Sequence, residues 1–163
     1  MSAIVRGVRV KFDGRIKDFT KIFLDFNGVL ATDGILIDGV AERIQRLRER
    51  GVRVTVVTAD QGRNVRHQLT GILPMDQIVT VGEDTAKAAK VQDRRLDLGE
   101  AIAIGNGFGD SEMLRAAEIG IVVDVGGGIN REAMLAARMI FTGGTPQVIV
   151  NVLDRLLNGS FTL

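Results

Sequence analysis

Short apolar runs that alternate with stretches of helical periodicity constrain this chain more than any other feature. "KIFLDF", "VRVTVVT", "DQIVTV", "EAIAIG" and "EIGIVVDV" are too short and too evenly apolar for amphipathic helices. They read as buried strands, with "RMIFT" as an edge strand. Between them, residues 40–50, 61–70, 84–97, 110–118, 129–137 and 146–157 read as helices. Buried strands each followed by a helix predict an α/β fold, a three-layer, doubly wound (Rossmann-like), mostly parallel sheet. Ahead of this alternation, "VRVKFDGRIKDF" switches between apolar and polar residues around Asp13-Gly14. That pattern predicts a β-hairpin with a type I′ turn, whose central residues need positive φ. One domain is expected over residues 1–163, with the hairpin in 1–19 and the α/β core in 20–163.

Composition closes off several classes of partner. Charged residues make up 25% of the chain and sum to +1, with both signs interspersed, so neither a nucleic acid nor a membrane surface is expected. Seven Phe with no Trp or Tyr make a poor stacking platform for bases. The absence of cysteine removes disulfides and thiolate metal sites and suits a reducing compartment. "MSAIVRGVRV" carries arginines within its apolar stretch, unlike a secretion signal, and no run approaches the ~20 apolar residues of a membrane span. The expectation is a cytoplasmic protein.

In open α/β sheets, ligands gather beyond the carboxyl ends of the strands. Asp25 ends the first core strand, Thr58 ends the second, Lys87 falls in a helix, and "GNGFGD" (Gly105–Asp110) follows the fourth. Asp25 and Thr58 are 33 positions apart and Thr58 and Lys87 are 29 apart, room for a helix and a strand but not for an inserted domain. A site here is open, or covered by "ATDGILI" or by a neighbouring subunit, and Asp33-Gly34 reads as the turn of a flap. Each residue also has a plainer reading. Asp25 suits a turn or cap, Thr58 or Asp60 can cap the next helix, and Lys90 rivals Lys87. Asp110 suits the N-cap of "SEMLRAAE", and His67 lies in a polar helix open to solvent. "GNGFGD" is no dinucleotide fingerprint, because Asp110 holds the sixth position, where glycine is needed.

Taken together, "DFNGVL", "VVTAD", a lysine 19 residues ahead of Asn106 and "IGNGFGDSEML" resemble, in order and spacing, the four motifs of the haloacid dehalogenase (HAD) superfamily over about residues 20–125. Within it the chain is similar to the capless, soluble P-type ATPase-like group. "NGVLATDG" partly resembles a stretch of the capless sugar-acid phosphatases, which assemble as tetramers. The resemblance implies a HAD-like fold without a cap domain and a Mg²⁺-dependent phosphohydrolase. Asp25 is then the nucleophile that forms an aspartyl phosphate. Thr58 and the Ala59 N–H hold phosphoryl oxygens, Gly28 lets phosphate approach the backbone, and Lys87 steadies the charge. Asp25, the main-chain oxygen of Asn27, Asn106 and Asp110 hold Mg²⁺ through oxygen ligands. A small phosphorylated metabolite is the implied substrate. A homo-oligomer (dimer or tetramer) is the implied assembly, with the N-terminal hairpin as one available surface.

Three positions depart from an efficient member of that superfamily. Asn27 stands where most of its hydrolases carry the aspartate that serves as general acid and base. An amide does neither job, and losing general acid–base catalysis typically costs ~10²–10⁴ in rate. P-type ATPases carry Thr there and accumulate an aspartyl phosphate, so the resemblance implies slow dephosphorylation. Asn106 stands in place of a metal-coordinating Asp, which with Asn27 leaves two carboxylates fewer and implies weaker Mg²⁺ binding. Gly109 stands in place of a phosphate-bonding Asn, which implies weaker phosphate binding. The alternative carried by the same three residues is a non-catalytic phosphate- or metabolite-binding or protein-interaction module.

Overall fold

The computed structural model describes residues 6–59, 63–82, 87 and 97–163. The chain opens with β1 (Val8–Phe12) and β2 (Arg15–Phe19), joined through Asp13 and Gly14 at φ 51° and 73°, the two positive angles of the expected type I′ turn. The core begins at β3 (Lys21–Leu24), followed by the flap strands β4 (Ala31–Thr32) and β5 (Ile35–Leu36). Then come α1 (Val40–Glu49), β6 (Arg53–Thr58), α2 (Arg63–Leu69) and β7 (Ile78–Thr80). The second half runs β8 (Ile102–Gly105), α3 (Ser111–Ala116), β9 (Ile119–Val123), α4 (Arg131–Ala136) and β10 (Met139–Phe141). It closes with α5 (Gln147–Leu157) and β11 (Phe161–Thr162). Apart from Lys87 and Asp97, the helix expected over 84–97, with Lys90, lies outside the described residues, as does Asp60.

The main sheet has the order β10-β9-β8-β3-β6-β7, and every pairing in it is parallel. Chain progress runs outward from β3 through β6 to β7 on one side, then restarts at β8 and runs outward to β10. The direction of winding therefore reverses between β3 and β8, and the loops leaving those two strands diverge to open a crevice there. Alternate strand residues supply the two cores. Ile22, Leu24, Val54, Val56, Ile102 and Ile104 join one cluster with residues of α1 and α5. Phe23, Val57 and Ala103 join the other with Met113 and Leu114 of α3 and Ala133 of α4. A sheet covered on both faces is the three-layer, doubly wound arrangement that the apolar runs predict.

β1 pairs antiparallel with β2 and parallel with β11, forming a separate three-stranded sheet. Val8, Val10, Phe12, Phe19 and Phe161 are buried in the same cluster as α5. The hairpin thus buries most of its apolar residues in that core, and what it presents outward is Arg9, Lys11, Asp13, Arg15 and Asp18 together with Ile16, which is 64% exposed. β11 is too short to leave a periodic signal in the sequence, and only its pairing with β1 reveals it.

No cap domain interrupts the core among the described residues. The flap is a two-strand ribbon between β3 and α1, turning at Asp33 and Gly34 with φ 51° and 77°. Among the described residues no helix is long and apolar enough to cross a membrane.

Candidate active site

Asp25 follows β3 directly, and its N–H donates to the Ile104 carbonyl of β8 at 3.0 Å, which seats it in the crevice. Its carboxylate meets Lys87, whose Nζ donates to Asp25 Oδ1 and to Asp110 Oδ1, each at 2.5 Å. Asp25, Lys87 and Asp110 are all buried, Asp110 to 1% exposure. One ammonium thus faces two carboxylates away from water. Burial and the neighbouring Asp110 charge push Asp25 up to about 7, against the pull of Lys87. Burial works against the Lys87 ammonium, but the two carboxylates outweigh it and raise Lys87 above its ordinary value.

Asp110 reaches this place by a route that sequence reading misjudges. It stands at the N-terminus of α3, yet its side chain does not cap that helix. Oδ2 turns back to accept the N–H groups of Asn106 and Gly107 at 3.0 and 2.9 Å, while Oδ1 takes Lys87. The buried ammonium takes Oδ1 and the two main-chain N–H groups of the preceding turn take Oδ2, so neither oxygen caps α3. The fold leaves room for this turn at Gly105, where a Cβ would lie 2.7 Å from the Asp110 carboxylate.

Thr58 is buried at the end of β6, and Ala59 is exposed beside it. Asp25, Asn27, Thr58, Ala59, Lys87 and Asp110 line one pocket of about 230 Å³, with Gly107 and Gly109 alongside. The structure therefore gathers nearly all the residues singled out from the sequence. Gly28 and Asn106 face a larger adjoining cleft of about 720 Å³, walled by the flap and by residues 125–127, with Asn27 common to both spaces. There Asn106 Nδ2 donates to the Gly28 carbonyl at 2.8 Å. Gly28 is at φ 82°, and a Cβ on it would lie 2.7 Å from that amide nitrogen, so only glycine suits both the backbone and the contact. His67 is exposed on α2.

Sequence reasoning missed the ties that hold the flap. Asn27 Oδ1 accepts the Gly34 N–H, Asn64 Nδ2 donates to the Gly34 carbonyl, and Gln68 Oε1 accepts the Leu36 N–H. The available signal was the spacing of Asn64 and Gln68, four apart and so on one face of α2.

The donor set suits a hard dication. Asp25 and Asp110 offer carboxylate oxygens, Asn106 an amide oxygen and Asn27 a main-chain oxygen, the ligands magnesium prefers. Two buried carboxylates against one ammonium leave an uncompensated negative charge that such a cation would offset. Among the described residues no group of three or more Asp, Glu, His or Cys stands together as a metal cluster, so neutral oxygens would complete the set.

An aspartate pair, a buried lysine and a strand-end threonine at the switch point of a doubly wound sheet define a class of α/β proteins. The chain belongs to the haloacid dehalogenase-like hydrolase family, which matches residues 22–118. Among curated proteins it is similar to copper-transporting ATPase 2 of Mus musculus, at 28% identity over 125 residues, covering 74% of this chain and 8% of that protein. The copper-exporting P-type ATPase of Staphylococcus aureus strain JH9 is 25% identical over 141 residues, 84% of this chain and 17% of that one. The chain therefore spans less than a fifth of the length of these relatives.

Among solved structures it is similar to 3-deoxy-D-manno-octulosonate 8-phosphate phosphatase from Moraxella catarrhalis, in complex with magnesium, phosphate and KDO. That match has a TM-score of 0.67 and 17% identity and covers 86% of this chain and 87% of the other. The cobalt-bound deoxy-D-mannose-octulosonate 8-phosphate phosphatase of Haemophilus influenzae gives a TM-score of 0.68 at 13% identity, over 86% and 88%. At these identities what is shared is the fold.

Proposed function

We propose that the chain is a Mg²⁺-dependent phosphohydrolase acting through an aspartyl phosphate on Asp25. The observation that carries this reading is the Lys87 ammonium 2.5 Å from both Asp25 and Asp110, buried beside Thr58 at the sheet's switch point. In this reading an Asp25 oxygen attacks phosphorus, the bond from phosphorus to the leaving oxygen breaks, and the phosphoryl group passes to the carboxylate. Lys87, the Thr58 hydroxyl and the Ala59 N–H hold its oxygens as charge builds on them. Water then attacks the aspartyl phosphate, releasing inorganic phosphate and freeing Asp25. Asp25, Asp110, Asn106 and the main-chain oxygen of Asn27 would hold the magnesium ion, which supplies charge neutralisation when bound.

Asn27 sets the pace. Standing beside Asp25, its amide neither protonates a leaving group nor takes a proton from water, so substrates with good leaving groups, such as acyl phosphates, are turned over best. A small phosphorylated metabolite is the substrate class, in keeping with the magnesium- and phosphate-bound phosphatase among the similar structures. The similarity to P-type ATPases supports a long-lived aspartyl phosphate. The reading includes a single cytoplasmic domain over residues 1–163 that assembles as a dimer or tetramer. Ile35 on the flap and Phe108 beside the pocket are 66% and 72% exposed, apolar surface that a neighbouring copy would cover.

The test is phosphate release from phosphoesters and acetyl phosphate with Mg²⁺ or with EDTA, comparing wild type with Asp25→Asn. Release that requires both Mg²⁺ and Asp25 is expected. Release indifferent to Asp25 would refute the mechanism. The bond from the Gly34 N–H to Asn27 Oδ1 favours one other reading, a binding module without turnover, since it gives Asn27 a structural task. Beryllium fluoride with Mg²⁺ separates the two, because it raises the melting temperature only where Asp25 can accept a phosphoryl mimic.

A further inference from the structure

The turn of the flap is gripped from both sides by side-chain amides. The Gly34 N–H donates to Asn27 Oδ1 at 3.1 Å, and the Gly34 carbonyl accepts from Asn64 Nδ2 at 2.7 Å. Further along, the Leu36 N–H donates to Gln68 Oε1 at 3.0 Å. Asn64 and Gln68 both belong to α2, the helix that follows the strand ending in Thr58.

These bonds matter because the flap has little else to hold its tip. It is a ribbon of two-residue strands with only two paired positions, Ala31 with Leu36 and Thr32 with Ile35, and so small a ribbon is not stable alone. Ala31 and Ile37 bury its base, while Asp33 and Ile35 stay exposed at its far end. Asn64 sits so close to the turn that a Cβ on Gly34 would lie 2.9 Å from its amide nitrogen. Thr32, Asp33 and Gly34 form one wall of the 720 Å³ cleft. Neither Asn64 nor Gln68 lines the pocket at Asp25.

We infer that the 720 Å³ cleft receives the leaving group and that Asn64 and Gln68 are positioning residues for it. By holding the flap tip they set its distance from residues 125–127, and so decide how bulky a leaving group the site admits. The part that concerns leaving groups rests on the phosphohydrolase reading; the clamp itself does not.

Hydrogen-bond chemistry gives the two residues opposite tolerances. Asn64 acts as a donor, so Asn64→Asp loses the bond, because an ionised carboxylate only accepts. Gln68 acts as an acceptor, so Gln68→Glu keeps its bond. A role confined to helix stability would give the reverse order, because a new negative charge suits the first turn of α2, at Asn64, and opposes the dipole in its last, at Gln68.

The experiment reads amide hydrogen exchange at Gly34 and Leu36 by NMR in wild type, Asn64→Asp, Gln68→Glu and Gln68→Ala. Alongside it runs turnover of acetyl phosphate and the bulkier p-nitrophenyl phosphate. In Asn64→Asp, exchange at the Gly34 amide should quicken about 5-fold, the factor one net hydrogen bond is worth, although that amide bonds Asn27 and not Asn64. Gln68→Glu should protect both amides as in wild type, and Gln68→Ala should release Leu36 and quicken Gly34. The KM for p-nitrophenyl phosphate should rise several-fold in Asn64→Asp while kcat for acetyl phosphate holds.

Unchanged Gly34 exchange in Asn64→Asp would overturn the clamp, as would Gln68→Glu behaving like Asn64→Asp. Equal losses of kcat on both substrates would overturn the positioning role. A wild type that turns over neither substrate would overturn the leaving-group half, and the exchange rates would then decide the clamp alone.

Discussion

Lys87→Met removes the ammonium between Asp25 and Asp110 and leaves an apolar side chain of similar length in its place. Nζ lies 2.5 Å from an oxygen of each carboxylate, so those two oxygens are at most 5.0 Å apart, twice that distance. Two unscreened charges at that separation repel by about 3 kcal/mol at an effective dielectric near 20. Water cannot relieve them, because both carboxylates are buried. The comparison is made at pH 9, so that a proton on Asp25, which is already pushed up to about 7 with Lys87 in place, does not relieve them first. Removing one partner of a buried ionic group costs ~3–5 kcal/mol, and the repulsion just estimated falls at the lower edge of that range. For a chain of this size the loss corresponds to roughly 6–20 °C in Tm. The assay is urea unfolding in EDTA followed by far-UV circular dichroism, since the chain has no Trp or Tyr to report by fluorescence. The slope of free energy against urea should stay the same while the midpoint falls. Mg²⁺ should recover more stability in the variant than in wild type, because a dication replaces the missing positive charge. A loss below about 1 kcal/mol, or a gain, would mean that the carboxylates do not depend on Lys87, and the charge argument would fail.

Asn27→Asp should raise phosphate release from poor leaving groups by ~10²-fold or more and leave acetyl phosphate little changed, as measured by phosphate release in Mg²⁺. An equal gain on both substrates would mean that Asn27 does not act as a missing acid. Gly28→Ala should destabilise by ~1–3 kcal/mol in urea unfolding, because its φ of 82° strains any side chain and a Cβ meets the Asn106 amide. Asn106→Asp replaces a donor with an acceptor facing the Gly28 carbonyl, and should cost ~1–3 kcal/mol in EDTA by the same assay. Phe161→Ala should cost ~3–5 kcal/mol, since this buried ring ties the last strand to the N-terminal hairpin. Light scattering should find a dimer or tetramer, and a monomer would remove the argument from the exposed Ile35 and Phe108.

Much of the site was legible because its parts sit where local chemistry marks them. Asp25 and Thr58 end apolar runs, and a strand end is visible as the point where such a run stops. Asp33-Gly34 and Asp13-Gly14 announce their turns, because few residue pairs accept two positive φ angles in succession. Lys87 could be singled out by spacing, but its role could not, since its two partners lie 62 and 23 residues away along the chain. Asp110 shows the limit most clearly. Its neighbours in sequence predict a helix cap, and its neighbours in space make it the second carboxylate on a buried ammonium.

By itself, then, the sequence determined the alternation of strands and helices, the hairpin and flap turns, the absence of an inserted cap in the loops after β3 and β6, and a short set of residues for the site. These are local properties, written in periods of two and 3.6 residues and in the φ angles that glycine permits. The tertiary structure alone decided that winding reverses between β3 and β8, that β11 completes the hairpin sheet, and that Asp110 turns away from its helix. It also decided that Asn106 braces Gly28 across 78 positions and that Asn64 and Gln68 hold the flap. Each of these depends on which groups meet after distant segments pack, and on the cost of leaving a buried charge or a polar group without a partner. No local pattern encodes that cost.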